Sequence, residues 1–128
     1  MKILLDTCTF LWIIWDAQEL SGKARKLYSD PGNEVYLSTV SCWEISLKHG
    51  LGRLPLAADP LEIVPDQRMR HSIESLPLDE ESALRLGSLP PVHRDPFDRM
   101  LVSQAITSGM TILTPDPAFR GYGVRTQW

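Results

Sequence analysis

The sequence has 128 residues, 43% of them hydrophobic and 23% charged, which fits one globular domain and excludes a multidomain machine or a disordered chain. The 13 Lys+Arg against 16 Asp+Glu leave a formal charge of −3, excluding a protein that coats nucleic acid by bulk charge while leaving room for a local basic groove. Cys8 and Cys42 have no metal-ligand spacing, and Asp6 cuts short the apolar run that would begin a signal peptide, so reduced thiols in a cytoplasmic protein are expected. The longest charge-free stretch, Met100 to Pro115, carries polar residues and falls short of the ~18 apolar residues of a membrane span, so no membrane association is expected.

In chain order, Lys2-Ile3-Leu4-Leu5-Asp6 reads as a short buried strand ending on an acid, followed by an apolar helix from Thr9 to Trp15. Ser21 caps a second helix through Tyr28, and Asp30-Pro31-Gly32-Asn33 is a turn. Glu34 to Ser38 is rich in β-formers and reads as the second strand. A third helix opens at Ser41-Cys42-Trp43-Glu44 and stops at Gly50 or Gly52. Asp59-Pro60 starts a fourth helix towards Arg70, with Pro65 as a point for a kink. Ser72 to Leu76 is the third strand, Asp79 caps a helix through Leu86, and Pro90-Pro91 breaks the chain. Phe97, Leu101, Val102 and Ala105 recur at helical spacing in a helix from Phe97 to Ser108, which Gly109 ends. Met110 to Thr114 is the fourth strand, Val124 lies in a short fifth one, and Trp128 covers an apolar edge. The whole reads as a single domain, residues 1–128.

Strands alternating with helices predict an α/β fold, a mainly parallel sheet with helices on both faces. Sites in such sheets form beyond the carboxyl ends of the strands. Asp6 closes the first strand, and Asp116 follows the fourth by two residues. Glu44 lies on the first turn of the helix after the second strand; Asp98 lies on the first turn of the helix leading into the fourth, with Asp95 one turn before it. If strands one and four are neighbours, these acids share one mouth of the sheet. Each also has a structural reading: a capping box at Ser41-x-x-Glu44, an N-cap at Asp95, a macrodipole partner at Asp98, a turn at Asp116-Pro117. Asp6 is the exception, because a carboxylate at the end of so apolar a strand is costly to bury unless paired or metal-bound.

Several acids in one pocket cannot all ionise without cations, and an oxygen-only donor set suits Mg²⁺ or Mn²⁺. Such a site activates water and stabilises the leaving oxygen of a phosphodiester. Lys48, Arg53, Arg94 and Arg99 are the candidates for a path along the nucleic-acid backbone, although solvated surface charge explains them equally well. Trp12, Trp15 and Trp43 read as core residues of helices, with base stacking as the functional alternative. His49, His71 and His93 do not suggest the paired imidazoles of a metal-independent ribonuclease.

Four segments together carry a family resemblance: Ile3-Leu4-Leu5-Asp6-Thr7; Ser38-Thr39-Val40-Ser41-Cys42-Trp43-Glu44-Ile45; His93-Arg94-Asp95-Pro96-Phe97-Asp98-Arg99; and Leu113-Thr114-Pro115-Asp116. In order and spacing the chain resembles the PIN-domain ribonucleases, specifically the VapC-type toxins of toxin–antitoxin pairs. The resemblance implies a PIN-like three-layer α/β/α sandwich around a mainly parallel sheet of four to five strands. It further implies a Mg²⁺-dependent endoribonuclease, often acting on a structured RNA such as tRNA, a homodimer, and a cognate antitoxin. Carried over by position, Asp6, Glu44, Asp98 and Asp116 match the acidic quartet, Asp95 is either a fifth acid or a cap, and Thr7 and Thr114 are hydroxyls supporting the ligands. A catalytically inactive PIN-like module that dimerises or binds an antitoxin is the alternative. Cys8 and Pro115 depart from residues common in the family, and Pro115 restricts how Asp116 points.

Overall fold

The run Ile3-Leu4-Leu5 is apolar without alternation because both faces of its strand are buried, as expected of a central strand in a parallel sheet. The computed structural model, which describes residues 1–128, places this strand, β1 (Lys2–Leu5), in the middle of a five-stranded sheet. Its neighbours are β2 (Glu34–Ser38) on one side and β4 (Thr111–Leu113) on the other, with β3 (Glu74–Leu76) and β5 (Thr126–Gln127) at the edges. The order is β3-β2-β1-β4-β5 and every pairing is parallel. From β1 the chain moves outward through β2 and β3, then crosses back to the far side of β1. That reversal opens a crevice beyond the carboxyl ends of β1 and β4.

Period-two alternation divides the core between the two faces. Ile3, Leu5, Val35, Leu37 and Leu113 pack with Phe10 and Ile13 of α1 (Thr7–Trp15), Ala24 of α2 (Gly22–Ser29) and Val64 of α4 (Pro60–Arg70). Leu4 and Ile112 face the other way, against Leu101, Val102 and Ala105 of α6 (Pro96–Ser108) and Phe119. The three-layer sandwich follows directly. α3 (Thr39–Gly50) sends Val40 to one core and Ile45 to the other, so it bridges both layers at the mouth of the crevice. α5 (Glu80–Arg85) is succeeded by a 3-10 turn, Leu86–Ser88, and packs on α6.

Several element boundaries differ from the sequence expectations, each for a local reason. α1 begins at Thr7, two residues early, because Asp6 occupies the N-cap position with extended backbone. α3 is capped by Ser38, the last residue of β2, whose hydroxyl accepts from Val40 N–H. Ser41 therefore lies inside the helix, and the capping-box reading of Ser41 and Glu44 is wrong. α4 continues through Pro65 to Arg70. β3 starts only at Glu74, because Ser72 turns the chain in the left-handed region at φ 56°. A 3-10 turn at Pro117–Tyr122 had no sequence forecast, and Val124 is a core residue two positions ahead of β5. Trp12 is half-buried against Trp128, their ring centroids 5.6 Å apart, but Trp15 and Trp43 are 46% and 60% exposed and are not core residues.

Candidate active site

In a βαβ unit the helix runs antiparallel to its strands, so helix N-termini gather at the carboxyl edge of the sheet. Here that edge carries Asp6 as the N-cap of α1, Asp95 as the N-cap of α6, Asp98 on the first turn of α6, and Asp116 as the N-cap of the 3-10 turn Pro117–Tyr122. Glu44 joins them from the middle of α3. All five acids line one cleft of about 440 Å³, together with Cys8, Leu11, Lys48, Arg53 and Leu54. Positive helix ends favour carboxylates there, though only by about 0.3–1 kcal/mol per group.

Every carboxylate of the cleft except Asp98 has a hydrogen-bond partner of its own. Thr114 donates to Asp6 Oδ2 at 2.7 Å and itself accepts from Asp116 N–H at 3.1 Å, so one hydroxyl connects the ends of β1 and β4. Cys8 Sγ–H donates to the same Asp6 oxygen at 3.4 Å. Burial raises the Asp6 pKa above the usual carboxylate range, opposed by these hydrogen bonds. Lys48 Nζ donates to Glu44 Oε2, one helical turn earlier, while Glu44 Oε1 is buried with no partner. Asp95 Oδ1 accepts from Phe97 N–H at 2.8 Å, as a helix cap.

Asp98 is the most perturbed of the five. Burial first, then the charges of Asp6 and Asp95, push its pKa up to about 7. Asp116 behaves oppositely. Burial opposes its ionisation, but the Ala118 N–H and the His93 ring outweigh that and lower its pKa.

The remaining expected residues divide. Lys48 and Arg53 line the cleft. Arg94 is exposed and lies off its lining. Arg99 does not line the cleft either: its guanidinium donates to the carbonyls of Pro90, Leu86 and Leu89 at 2.8, 3.2 and 3.4 Å, which fixes the segment between α5 and α6. The Thr7 hydroxyl does not reach an acid; it donates to Ser41 Oγ at 2.8 Å and joins α1 to α3. Sequence reasoning missed His93, whose Nε2 is 3.1 Å from Asp116 Oδ2 and 4.0 Å from Asp98 Oδ2. The only local signal was its place beside two acids in His93-Arg94-Asp95-Pro96-Phe97-Asp98.

An all-oxygen donor set, excess negative charge and an orphaned buried carboxylate oxygen suit a hard divalent cation. As they stand, no three of these groups form a ready ligand set. Asp6, Glu44, Asp98 and Asp116 are the residues that could hold one.

The model of the PIN domain family matches residues 3–124. The chain belongs to the PIN-domain family. Over 63 residues this PIN domain is 32% identical to Ribonuclease VapC16 of Mycobacterium tuberculosis; the match covers 49% of this chain and 45% of the relative, so it spans about half of each. Among solved structures, the DNA-bound VapBC of Salmonella typhimurium superposes with a TM-score of 0.69 at 19% identity, covering 99% of this chain and 97% of that one. VapBC2 from Rickettsia felis, bound to a DNA fragment from its promoter, gives 0.68 at 14% identity, with 99% and 98% covered. FitAcB from Neisseria gonorrhoeae gives 0.61 at 23% identity, with 97% and 95% covered. At such identities these likenesses establish the fold. No helix of the PIN domain is long and apolar enough to cross a membrane.

Proposed function

We propose that residues 1–128 act as one PIN domain with the activity of a VapC-type toxin: an endoribonuclease, dependent on Mg²⁺ or Mn²⁺, whose partner is a cognate antitoxin. The observation that carries this reading is the convergence of Asp6, Glu44, Asp98 and Asp116 in one cleft at the switch point of the sheet. The likeness to a protein named a ribonuclease, and to the toxin-containing VapBC assemblies, supports it. The homodimer, the cytoplasmic location and a structured RNA such as tRNA as substrate rest on the family resemblance.

In this reading Asp6 is the central ligand, fixed by Thr114 at the end of β1. Asp98 and Glu44 complete the cup, and Asp116 closes its outer side. A bound divalent cation would activate water and stabilise the leaving oxygen of the phosphodiester. Lys48 and Arg53, on the cleft wall, offer positive charge to the phosphates of a strand entering over the carboxylates. Asp95 serves as a helix cap that also adds charge beside Asp98.

The test is cleavage of total cellular RNA by purified protein with Mg²⁺, Mn²⁺ or EDTA, beside Asp6→Asn. Expected are discrete cuts that need metal and fall at least ~100-fold in the variant, leaving 5′-phosphate and 3′-hydroxyl ends. Cutting that survives both EDTA and the substitution would remove this site from consideration. Folded, antitoxin-free protein that cuts no RNA would favour the alternative, an inactive module that dimerises or binds the antitoxin.

A further inference from the structure

Asp116 is more exposed than the other three acids proposed as ligands. It follows Pro115 on a connecting segment, and its side chain is 39% exposed, whereas Asp6 and Glu44 are buried. Its orientation therefore depends on hydrogen bonds. Oδ1 accepts from Ala118 N–H at 2.9 Å, and Oδ2 faces the His93 ring. That ring is itself immobilised. It is only 11% exposed, lies 2° from parallel to Tyr122 with centroids 5.5 Å apart, and packs against Phe119 at 4.8 Å. Both aromatic residues belong to the 3-10 turn that Asp116 caps.

The hydrogen bonds also select one tautomer. The Tyr122 hydroxyl oxygen accepts from the main-chain N–H of His93 at 2.8 Å and lies 2.9 Å from Nδ1. If Nδ1 carried the proton of a neutral ring, Tyr122 would receive two donors, and a bare Nε2 lone pair would face the Asp116 carboxylate at 3.1 Å. If Nε2 carries it, Tyr122 O–H donates to Nδ1 and Nε2–H donates to Asp116. Only the second arrangement gives every donor an acceptor. A hydrogen bond at one ring nitrogen fixing the role of the other is the general means by which histidines are oriented.

Building on the metal-dependent reading above, we infer that His93 is a positioning residue. Tyr122 sets its tautomer, and its Nε2–H holds Asp116 turned towards Asp98 for a shared cation. The segment before α6 and the 3-10 turn after β4 are thereby joined across the mouth of the sheet by hydrogen bonds as well as by packing. Loss of a partner that orients a ligand typically costs 10–100-fold in metal affinity.

The experiment has two readouts on the full chain. Long-range ¹H–¹⁵N NMR of metal-free protein at pH 8 reports the His93 tautomer, assigned by its loss in His93→Gln. The Nε2–H pattern is expected in wild type, with an Nδ1–H population appearing in Tyr122→Phe. Calorimetric Mn²⁺ titration is expected to give a 10–100-fold weaker affinity in His93→Ala. His93→Gln, whose side-chain amide can donate from a similar position, should recover most of it, with circular dichroism confirming that each variant is folded. An Nδ1–H ring in wild type, wild-type Mn²⁺ affinity in folded His93→Ala, or equal losses in His93→Gln and His93→Ala would each overturn the inference. Wild-type protein that keeps the Nε2–H ring but binds no Mn²⁺ would refute the metal-dependent function, and with it the shared-cation role, while supporting the His93–Asp116 contact.

Discussion

Asp98 provides the sharpest quantitative consequence of the cleft. Burial and the charges of Asp6 and Asp95 raise its pKa from 3.8 to about 7 in the folded protein. An unfolded chain releases that proton near pH 4, whereas the folded one holds it until about pH 7. Between those values the native state binds more protons, so metal-free stability falls as pH rises through this window and levels off above it. The difference sets a ceiling of about 4 kcal/mol on the destabilisation caused by the ionised group. With its side chain 22% exposed, water and local relaxation absorb part of this, and about 2 kcal/mol is the working figure. Asp98→Asn removes the charge at nearly constant volume. In EDTA at pH 8 it should be more stable than wild type by about 2 kcal/mol, roughly 6–10 °C in Tm for a domain of this size. At pH 4.5, where Asp98 is protonated in the folded wild type and ionised only in the unfolded chain, the gain should shrink to about 1 kcal/mol. Urea denaturation at both pH values is the assay. A variant no more stable than wild type at pH 8, or one with the same gain at pH 4.5, would refute the argument from burial and like charge.

Two further substitutions separate holding the fold from serving the site. Lys48→Met leaves both oxygens of buried Glu44 without a partner, so it should cost about 1–3 kcal/mol in EDTA, and Mg²⁺ should narrow the gap by supplying the missing positive charge. Urea unfolding with and without Mg²⁺ measures this, and equal stability of the two proteins in EDTA would contradict it. Arg99→Met keeps the alkyl stem but loses the donors to three carbonyls, so a loss of about 1–3 kcal/mol is expected with RNA cleavage per folded molecule unchanged. Unchanged stability together with weaker RNA binding would return Arg99 to the backbone path.

The sheet was legible because its central strands obey the simplest rule available. Buried on both faces, they read as short apolar runs, and the intervening helices set a parallel order. The acids were legible as a set because three of them occupy cap positions that sequence reasoning already inspects. Glu44 was assigned to the right helix but to its first turn, and for the wrong reason. Ser38 ends β2 and caps α3 at once, so the helix begins earlier than Ser41 suggests, and Glu44 lies in its second turn, where it is buried rather than capping. The basic residues fared worse. Nearness in sequence to an acid does not determine where a guanidinium points, and Arg99 turns to free carbonyls that only the folded segment presents. His93 was missed because its partner, Tyr122, lies 29 positions away in a turn without periodic pattern.

The arrangement of the cleft follows from a competition of energies. Parallel topology brings helix N-termini to the carboxyl edge of the sheet, and the macrodipoles favour acids there by about 0.3–1 kcal/mol each. Burying those acids side by side costs more, up to about 4 kcal/mol at Asp98 alone by the reckoning above. The chain answers with a donor for nearly every carboxylate: Thr114 for Asp6, Lys48 for Glu44, the Phe97 N–H for Asp95, His93 for Asp116. Asp98 has no such hydrogen bond, and its nearest basic group is the His93 ring at 4.0 Å. The uncompensated charge is thus concentrated on Asp98 and the orphaned Glu44 oxygen, two groups on different helices facing the same space. In the function proposed here, that pair is where a cation gains most. Metal binding should therefore be weakened more by Asp98→Asn than by removing Asp95, whose carboxylate already serves as a cap.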